Sequence, residues 1–227
     1  MIDRTVILST NDNPVYFLYL PYIQKAWNKL GWKTFTFYLG DKKIIKSDST
    51  NTIIKIENIS EYKECTLVQV SRLFGHKYCN GMIMTSDIDM MPLTNYWSPE
   101  KDFISCYGSD LTNYKHHPIC YIAADASYWR QLIPEDSISS LLQKYPQAKS
   151  KKFEEYWYTD QDIITERINS MSNTKIIPRG FDNNLAQGRI DRIDWLNTFN
   201  RPGLKIDAHL PKKFDKKVVQ NLFNLYL

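Results

Sequence analysis

The chain is 227 residues long, enough for one large domain with a sizeable core, and its 43% hydrophobic and 24% charged residues are ordinary for a soluble globular protein. Its net charge of +4 is scattered. The short clusters at Lys149, Lys151 and Lys152 and at Lys212, Lys213, Lys216 and Lys217 read as solvated turns and a helix face, which argues against nucleic acid as a partner. In chain order, residues 5–9 read as a buried strand. Residues 14–31 read as a helix opened by Pro14, broken near Pro21 and ended by Gly31. Residues 33–38 alternate as a strand and 51–56 form another. Residues 66–78 carry apolar side chains at a helical period, and 82–85 is a fully buried strand. Strands follow at 103–107 and 119–124, with helices at 126–133, 138–145 and 157–169. Strands alternating with helices predict an α/β fold: a Rossmann-like, mostly parallel central sheet flanked by helices, in a single domain over 1–227 or as one module of a longer polypeptide.

Four cysteines, at 65, 79, 106 and 120, stand 14 to 27 residues apart with no CxxC or Cys/His spacing. Reduced thiols are expected, and a zinc site is not. No run approaches the ~20 apolar residues of a membrane span. With no secretory signal at the start, a cytoplasmic location is expected. Aromatic residues are abundant at 14%. They suit ligands with flat faces, such as nucleobases and sugar rings, or equally a core of large side chains.

The stretch MIMTSDIDMMPL (82–93) sets two aspartates one residue apart inside an apolar run, where carboxylates are costly unless a cation neutralises them. In an extended segment Asp87 and Asp89 point the same way and Ile88 the other. The pair offers oxygen ligands to a hard divalent cation, Mn²⁺ or Mg²⁺; capping a helix or solvating a turn is the plainer use. In a parallel sheet ligands bind beyond the carboxyl ends of the strands. Both this pair and Ser9, Thr10 and Asn11 fall at such ends.

On these residues the chain resembles the GT-A-fold glycosyltransferases, which use a nucleotide-sugar donor and a divalent metal. MIMTSDIDMMPL is similar to their DxD segment. SRLFGHKY before it is similar to the helix whose arginine reaches the donor, matched by Arg72. LSTNDNPVY is similar to the TND…Y segment of glycogenin-like transferases, matched by Thr10, Asn11 and Tyr16, with the tyrosine two residues later than in that segment. KIDAHLP (205–211) is similar to the segment supplying a late histidine as metal ligand, matched by His209. The same combination recurs in the compact GT-A domains of large algal viruses, which would place the protein in a host cytoplasm. The resemblance implies a UDP-sugar donor, with Thr10, Asn11, Tyr16, Arg72, Asp87, Ile88 and Asp89 around it, and a metal on Asp87, Asp89 and His209. Arg72 could equally form an ordinary ion pair, and His209 could be structural; His76, His116 and His117 are read as structural.

An inverting transferase needs a carboxylate to take the acceptor's proton. Asp160, then Asp162, at the start of a helix after an aromatic run, are the candidates, although Asp160 also suits a helix cap. Asp125 either touches the donor sugar or caps the helix at Ala126. Trp129, Trp157 and Tyr158 are candidate sugar platforms, and Arg179 a candidate second phosphate or acceptor contact. The expected activity is transfer of a hexosyl or pentosyl group from a UDP-sugar to a glycan hydroxyl, with inversion. Two alternatives stand beside it. One is a non-catalytic nucleotide- or sugar-binding domain of the same fold. The other is an aspartyl phosphatase, which would need its DxD at the first strand.

Overall fold

The computed structural model describes residues 3–42 and 47–227. The first strand, β1 (Arg4–Asn11), is buried along its middle six residues. Two helices follow where one was expected, α1 (Pro14–Phe17) and α2 (Leu20–Lys29). The break falls just before Pro21, which therefore sits in the first turn of α2, where its missing N–H leaves no hydrogen bond unmade. Next come β2 (Lys33–Leu39) and β3 (Asn51–Lys55). β2 is buried on both faces rather than alternating, because core side chains pack against each side of the sheet.

Residues 66–78 divide as well: α3 (Glu64–Ser71) tightens into a 3-10 helix over Arg72–Lys77. Then follow β4 (Met82–Thr85), β5 (Met90–Pro92), β6 (Ile104–Tyr107), β7 (Ile122–Asp125), α4 (Ala126–Leu132), α5 (Ile138–Leu142), α6 (Phe153–Tyr156) and α7 (Thr159–Asn169). The chain continues through β8 (Thr174–Ile177), the two-residue strands β9 (Phe181–Asp182) and β10 (Leu185–Ala186), β11 (Arg189–Asp191), α8 (Trp195–Asn200), β12 (Asp207–His209) and α9 (Lys216–Tyr226).

The central sheet has seven strands in the order β3-β2-β1-β4-β7-β6-β8. All pairings are parallel except those made by β7, which runs antiparallel to both β4 and β6. β1 lies in register with β4 from Arg4 opposite Met82 to Ile7 opposite Thr85. Their carboxyl ends therefore leave the sheet side by side, and residues 9–11 and 86–89 share one edge. There a small second sheet, β11-β12-β5, folds over: β12 runs antiparallel to β5 with His209 opposite Met90. The backbone N–H of Leu210 donates to the carbonyl of Asp89 (2.8 Å). The far end of the chain is thus pinned beside the aspartate pair.

Two apolar layers sandwich the sheet. One gathers α3, α4, α5 and α7; the other gathers α2, β5 and α9. Much of the aromatic content is spent here. Trp27, Trp32, Trp97 and Trp129 are fully buried, and Trp97 stacks on Tyr121 with ring centroids 3.8 Å apart. This removes Trp129 from the candidate sugar platforms, since its indole N–H donates to the Ile83 carbonyl inside the core (3.1 Å). All four cysteines are free thiols. Among the described residues no helix is long and apolar enough to cross a membrane.

Candidate active site

A cleft of about 430 Å³ opens at the carboxyl ends of β1 and β4. On one wall stand Ser9, Thr10 and Asn11. Asn13 caps α1 by accepting from the N–H of Val15 (3.0 Å), and Pro14 occupies the first helical turn. This short helix carries Tyr16 to the cleft wall, and burial holds its phenol above its usual pKa.

The floor is Asp87-Ile88-Asp89. The segment is not extended: Met90 N–H donates to the Asp87 carbonyl (3.2 Å), and residues 88–89 form a turn. The two aspartates line the same cleft but diverge onto different partners. Asp87 pairs with Arg72. Asp89, 7% exposed, accepts from Arg192 Nη1 on its Oδ2 (2.8 Å), and the same oxygen lies 3.6 Å from His209 Nε2. His209 turns its other nitrogen to Asp191 Oδ2 (3.3 Å). Burial alone would favour a neutral ring, but contacts with Asp191 and Asp89 outweigh it and raise the His209 pKa. Burial likewise works against ionised Asp89, and His209 with Arg192 outweighs it and keeps the carboxyl low.

Arg72 sits where α3 passes into the 3-10 turn, and the tightening aims its side chain inward. The guanidinium is 4% exposed and reaches Asp87, the Ser86 carbonyl (3.3 Å) and Asp160 Oδ2 (2.8 Å). One cation thus serves two acids. Burial pushes the Asp160 carboxyl up to about 6 against the pull of Arg72, with the charge of Asp87 adding to the rise. A folded-state pKa above the unfolded value, roughly 3.9, means that the folded protein holds this proton more tightly. The associated stability is complete below about pH 4 and is lost as pH climbs through about 6. Wild-type protein is therefore expected to lose on the order of 2 kcal/mol over that window relative to Asp160→Asn, as urea unfolding at several pH values would reveal. Parallel pH profiles for the two proteins would contradict the assignment.

The sequence-derived residues divide clearly. Thr10, Asn11, Tyr16, Arg72, Asp87, Ile88, Asp89, Asp160 and His209 line one cleft, joined by Trp157. Asp125 does not. Because β7 runs against β4, Asp125 lies opposite Met82 at the far edge of the sheet, where its carboxylate caps α4 by accepting from Ser127 N–H (2.9 Å). Arg179 is 3% exposed, bound to Asp207 and outside the cleft lining. Asp162 points to His116 (3.6 Å) and stays outside the cleft. Asp160 lines it but is 1% exposed, with one oxygen held by Arg72 and the other by Gln161 N–H (2.9 Å). It is placed to hold Arg72 rather than to receive a substrate proton. The sequence reading missed Arg192, Asp191, Gln69 and Gln161. The run RIDRID (189–194) matches no motif, and only the pairing of β11 with β12 brings Asp191 opposite His209.

As for a divalent cation, the donor chemistry fits: carboxylate oxygens suit a hard ion and an imidazole is tolerated. Asp89 Oδ2 and His209 Nε2 stand 3.6 Å apart, and these two side chains would hold such an ion between them. Asp191 fixes the orientation of the imidazole, as carboxylates behind metal-bound histidines do. The pose is closed, however. Among the described residues no three His, Cys, Asp or Glu side chains converge tightly enough to hold an ion, and Arg72 and Arg192 are bound to the two aspartates.

No protein-family model matches the chain. No curated protein sequence matches it. Its fold does match solved structures, and the class they define is the GT-A-type α/β fold of glycosyltransferases. An active-site mutant of LgtC aligns with a TM-score of 0.55 at 10% identity, over 97% of this chain and 95% of that one. The galactosyltransferase LgtC in complex with donor and acceptor sugar analogs aligns at 0.54 and 11%, with the same coverage. The glycosyltransferase GlyE of Streptococcus pneumoniae TIGR4 aligns at 0.55 and 10%, over 99% of this chain, which spans 61% of GlyE. At such identities the likeness is one of fold.

Proposed function

We propose that the protein is a glycosyltransferase that moves a sugar from a UDP-linked donor to a glycan hydroxyl with the help of a divalent cation, Mn²⁺ or Mg²⁺. One observation carries this reading. Residues from four distant segments, read separately from the sequence, meet in one cleft at the carboxyl ends of β1 and β4: Thr10 to Tyr16, Arg72, Asp87 to Asp89, and His209. In such a sheet this edge is where ligands bind. The likeness in fold to proteins that transfer sugars supports it further.

In this reading the wall from Thr10 to Tyr16 receives the nucleoside, with the Tyr16 ring against the base. Asp87, Asp89 and His209 would hold the cation, which when bound neutralises charge growing on the departing diphosphate. Arg72 supplies a fixed, buried positive charge beside the same phosphates, oriented by Asp160. The acceptor glycan enters past Trp157, whose ring stacks on the half-exposed Phe153 with centroids 4.8 Å apart and offers an apolar face for a sugar. Each carboxylate that lines the cleft accepts from an arginine, so none stands free as a base. Retention, which has no requirement for such a base, suits this cleft better than the inversion expected from Asp160.

Calorimetric titration of UDP tests the reading, with Mn²⁺ present and then with EDTA. Micromolar binding that needs the metal, followed by slow hydrolysis of a UDP-sugar, is the expected result. UDP binding indifferent to metal, with no turnover, would instead favour the non-catalytic binding domain.

A further inference from the structure

We propose that Arg192 is a resident counter-cation for Asp89, which it releases when a divalent ion and a diphosphate arrive together. The inference rests on the functional reading above and concerns a residue that reading does not use.

Asp89 Oδ2 is the atom that faces His209 Nε2, and it is also the atom that accepts from Arg192 Nη1 at 2.8 Å. A metal shared by Asp89 and His209 would therefore sit where the guanidinium now makes its bond. Asp89 is 7% exposed, and a carboxylate so deeply set cannot be left without a cation while the cleft is empty. Arg192, beside His209, meets that need without a metal and makes the shorter contact, 2.8 Å against 3.6 Å. The two cations also repel each other, so an ion entering alone must push a like charge from the one carboxylate it pairs with among the described residues.

The surroundings leave Arg192 free to swing while its backbone stays fixed. Asp191 Oδ1 accepts from Ile193 N–H (2.9 Å), and the Asp191 carbonyl accepts from Asp194 N–H (3.1 Å), which locks the turn on both sides of residue 192. The side chain lines the cleft, is 21% exposed and has Asp89 as its carboxylate partner. A diphosphate in the cleft offers the displaced guanidinium a new anionic partner with matching fork geometry. Arg192 thus makes each ligand help the other: the metal frees the arginine for the diphosphate, and the diphosphate compensates the arginine for the loss of Asp89. Such coupling is reciprocal.

The test is the Mn²⁺ dissociation constant, measured by electron paramagnetic resonance with and without saturating UDP, on the wild type, Arg192→Gln and Arg192→Lys. Without UDP, Arg192→Gln is expected to bind Mn²⁺ about tenfold more tightly than the wild type, and Arg192→Lys to lie between them. The enhancement of Mn²⁺ affinity by UDP should be smaller in Arg192→Gln. If Arg192→Gln does not fold, Arg192→Lys decides alone: affinity above the wild type supports the exchange, and equal or lower affinity overturns it. Asp89-dependent Mn²⁺ binding by the wild type that Arg192→Gln leaves unchanged or weaker overturns the role of Arg192 alone. Absence of Mn²⁺ binding in both proteins overturns the metal reading as well.

Discussion

Asp89→Ala is expected to uncouple nucleotide binding from the divalent cation: the gain in UDP affinity on adding Mn²⁺ should fall to about one, and kcat/KM on a UDP-sugar by roughly 10²–10³, or about 3–4 kcal/mol of transition-state stabilisation. The reason is local. Asp89 Oδ2 is the hub on which Arg192 and His209 converge, so its removal would take away a proposed ligand and leave two cationic side chains facing each other. A cation brought near them would add to that repulsion. The backbone should tolerate the change, because the strand contact that positions this turn runs through the Asp89 carbonyl to Leu210 N–H and not through the side chain. Asp89→Asn keeps the shape and loses the charge, and should behave as Asp89→Ala does. Calorimetry with and without EDTA, alongside thermal unfolding, would separate loss of the site from loss of the fold. A variant that retained metal-dependent UDP binding would show that Asp89 is no ligand.

The fold was legible in the sequence where burial is total. β1 and β4 carry continuous apolar runs, β2 alternates threonine with phenylalanine, and the sheet they form is parallel, as a βαβ alternation requires. The site was legible where a residue follows such a strand in the common direction. Thr10, Asn11, Asp87 and Asp89 each leave the same edge. Asp125 shows the limit of that rule. It also follows a buried strand, but strand direction is not encoded in an apolar run, and the reversal of β7 delivers it to the opposite edge. Arg179 and Arg192 mark a second limit. Arg179 was expected at a phosphate or the acceptor and Arg192 was not singled out, and only long-range pairing decides that one closes on Asp207 in the interior and the other on Asp89 in the cleft. Asp160 marks a third. Its place at the start of a helix gave it a choice between cap and base, and the arginine that claims it lies 88 residues away in the chain.

Asp207→Ala is expected to destabilise the protein by about 3–5 kcal/mol, a large share of the roughly 5–15 kcal/mol that holds a typical domain together. Asp207 is fully buried and accepts from Arg179 (3.0 and 3.2 Å) and from Arg189 (3.1 and 2.9 Å), while the Arg179 guanidinium lies 5.6 Å from the ring centres of both Tyr96 and Trp97. Burial opposes the charge on Asp207, yet the two guanidinium groups prevail and hold its carboxyl well below the usual range. Deleting the carboxylate strands two buried cations side by side, which costs more than the pair was worth. Asp207→Asn would keep the volume but not the charge and should recover only part of the loss. For a chain of this size the alanine variant should melt roughly 6–20 °C lower. The damage should also reach the cleft, because β11 and β12, which this cluster clamps, carry Asp191 and His209, and Arg192 follows directly after β11. Urea unfolding that showed a change below about 1 kcal/mol would mean that water reaches the two arginines. The β11–β12 wall would then need another source of rigidity to keep His209 fixed beside Asp89.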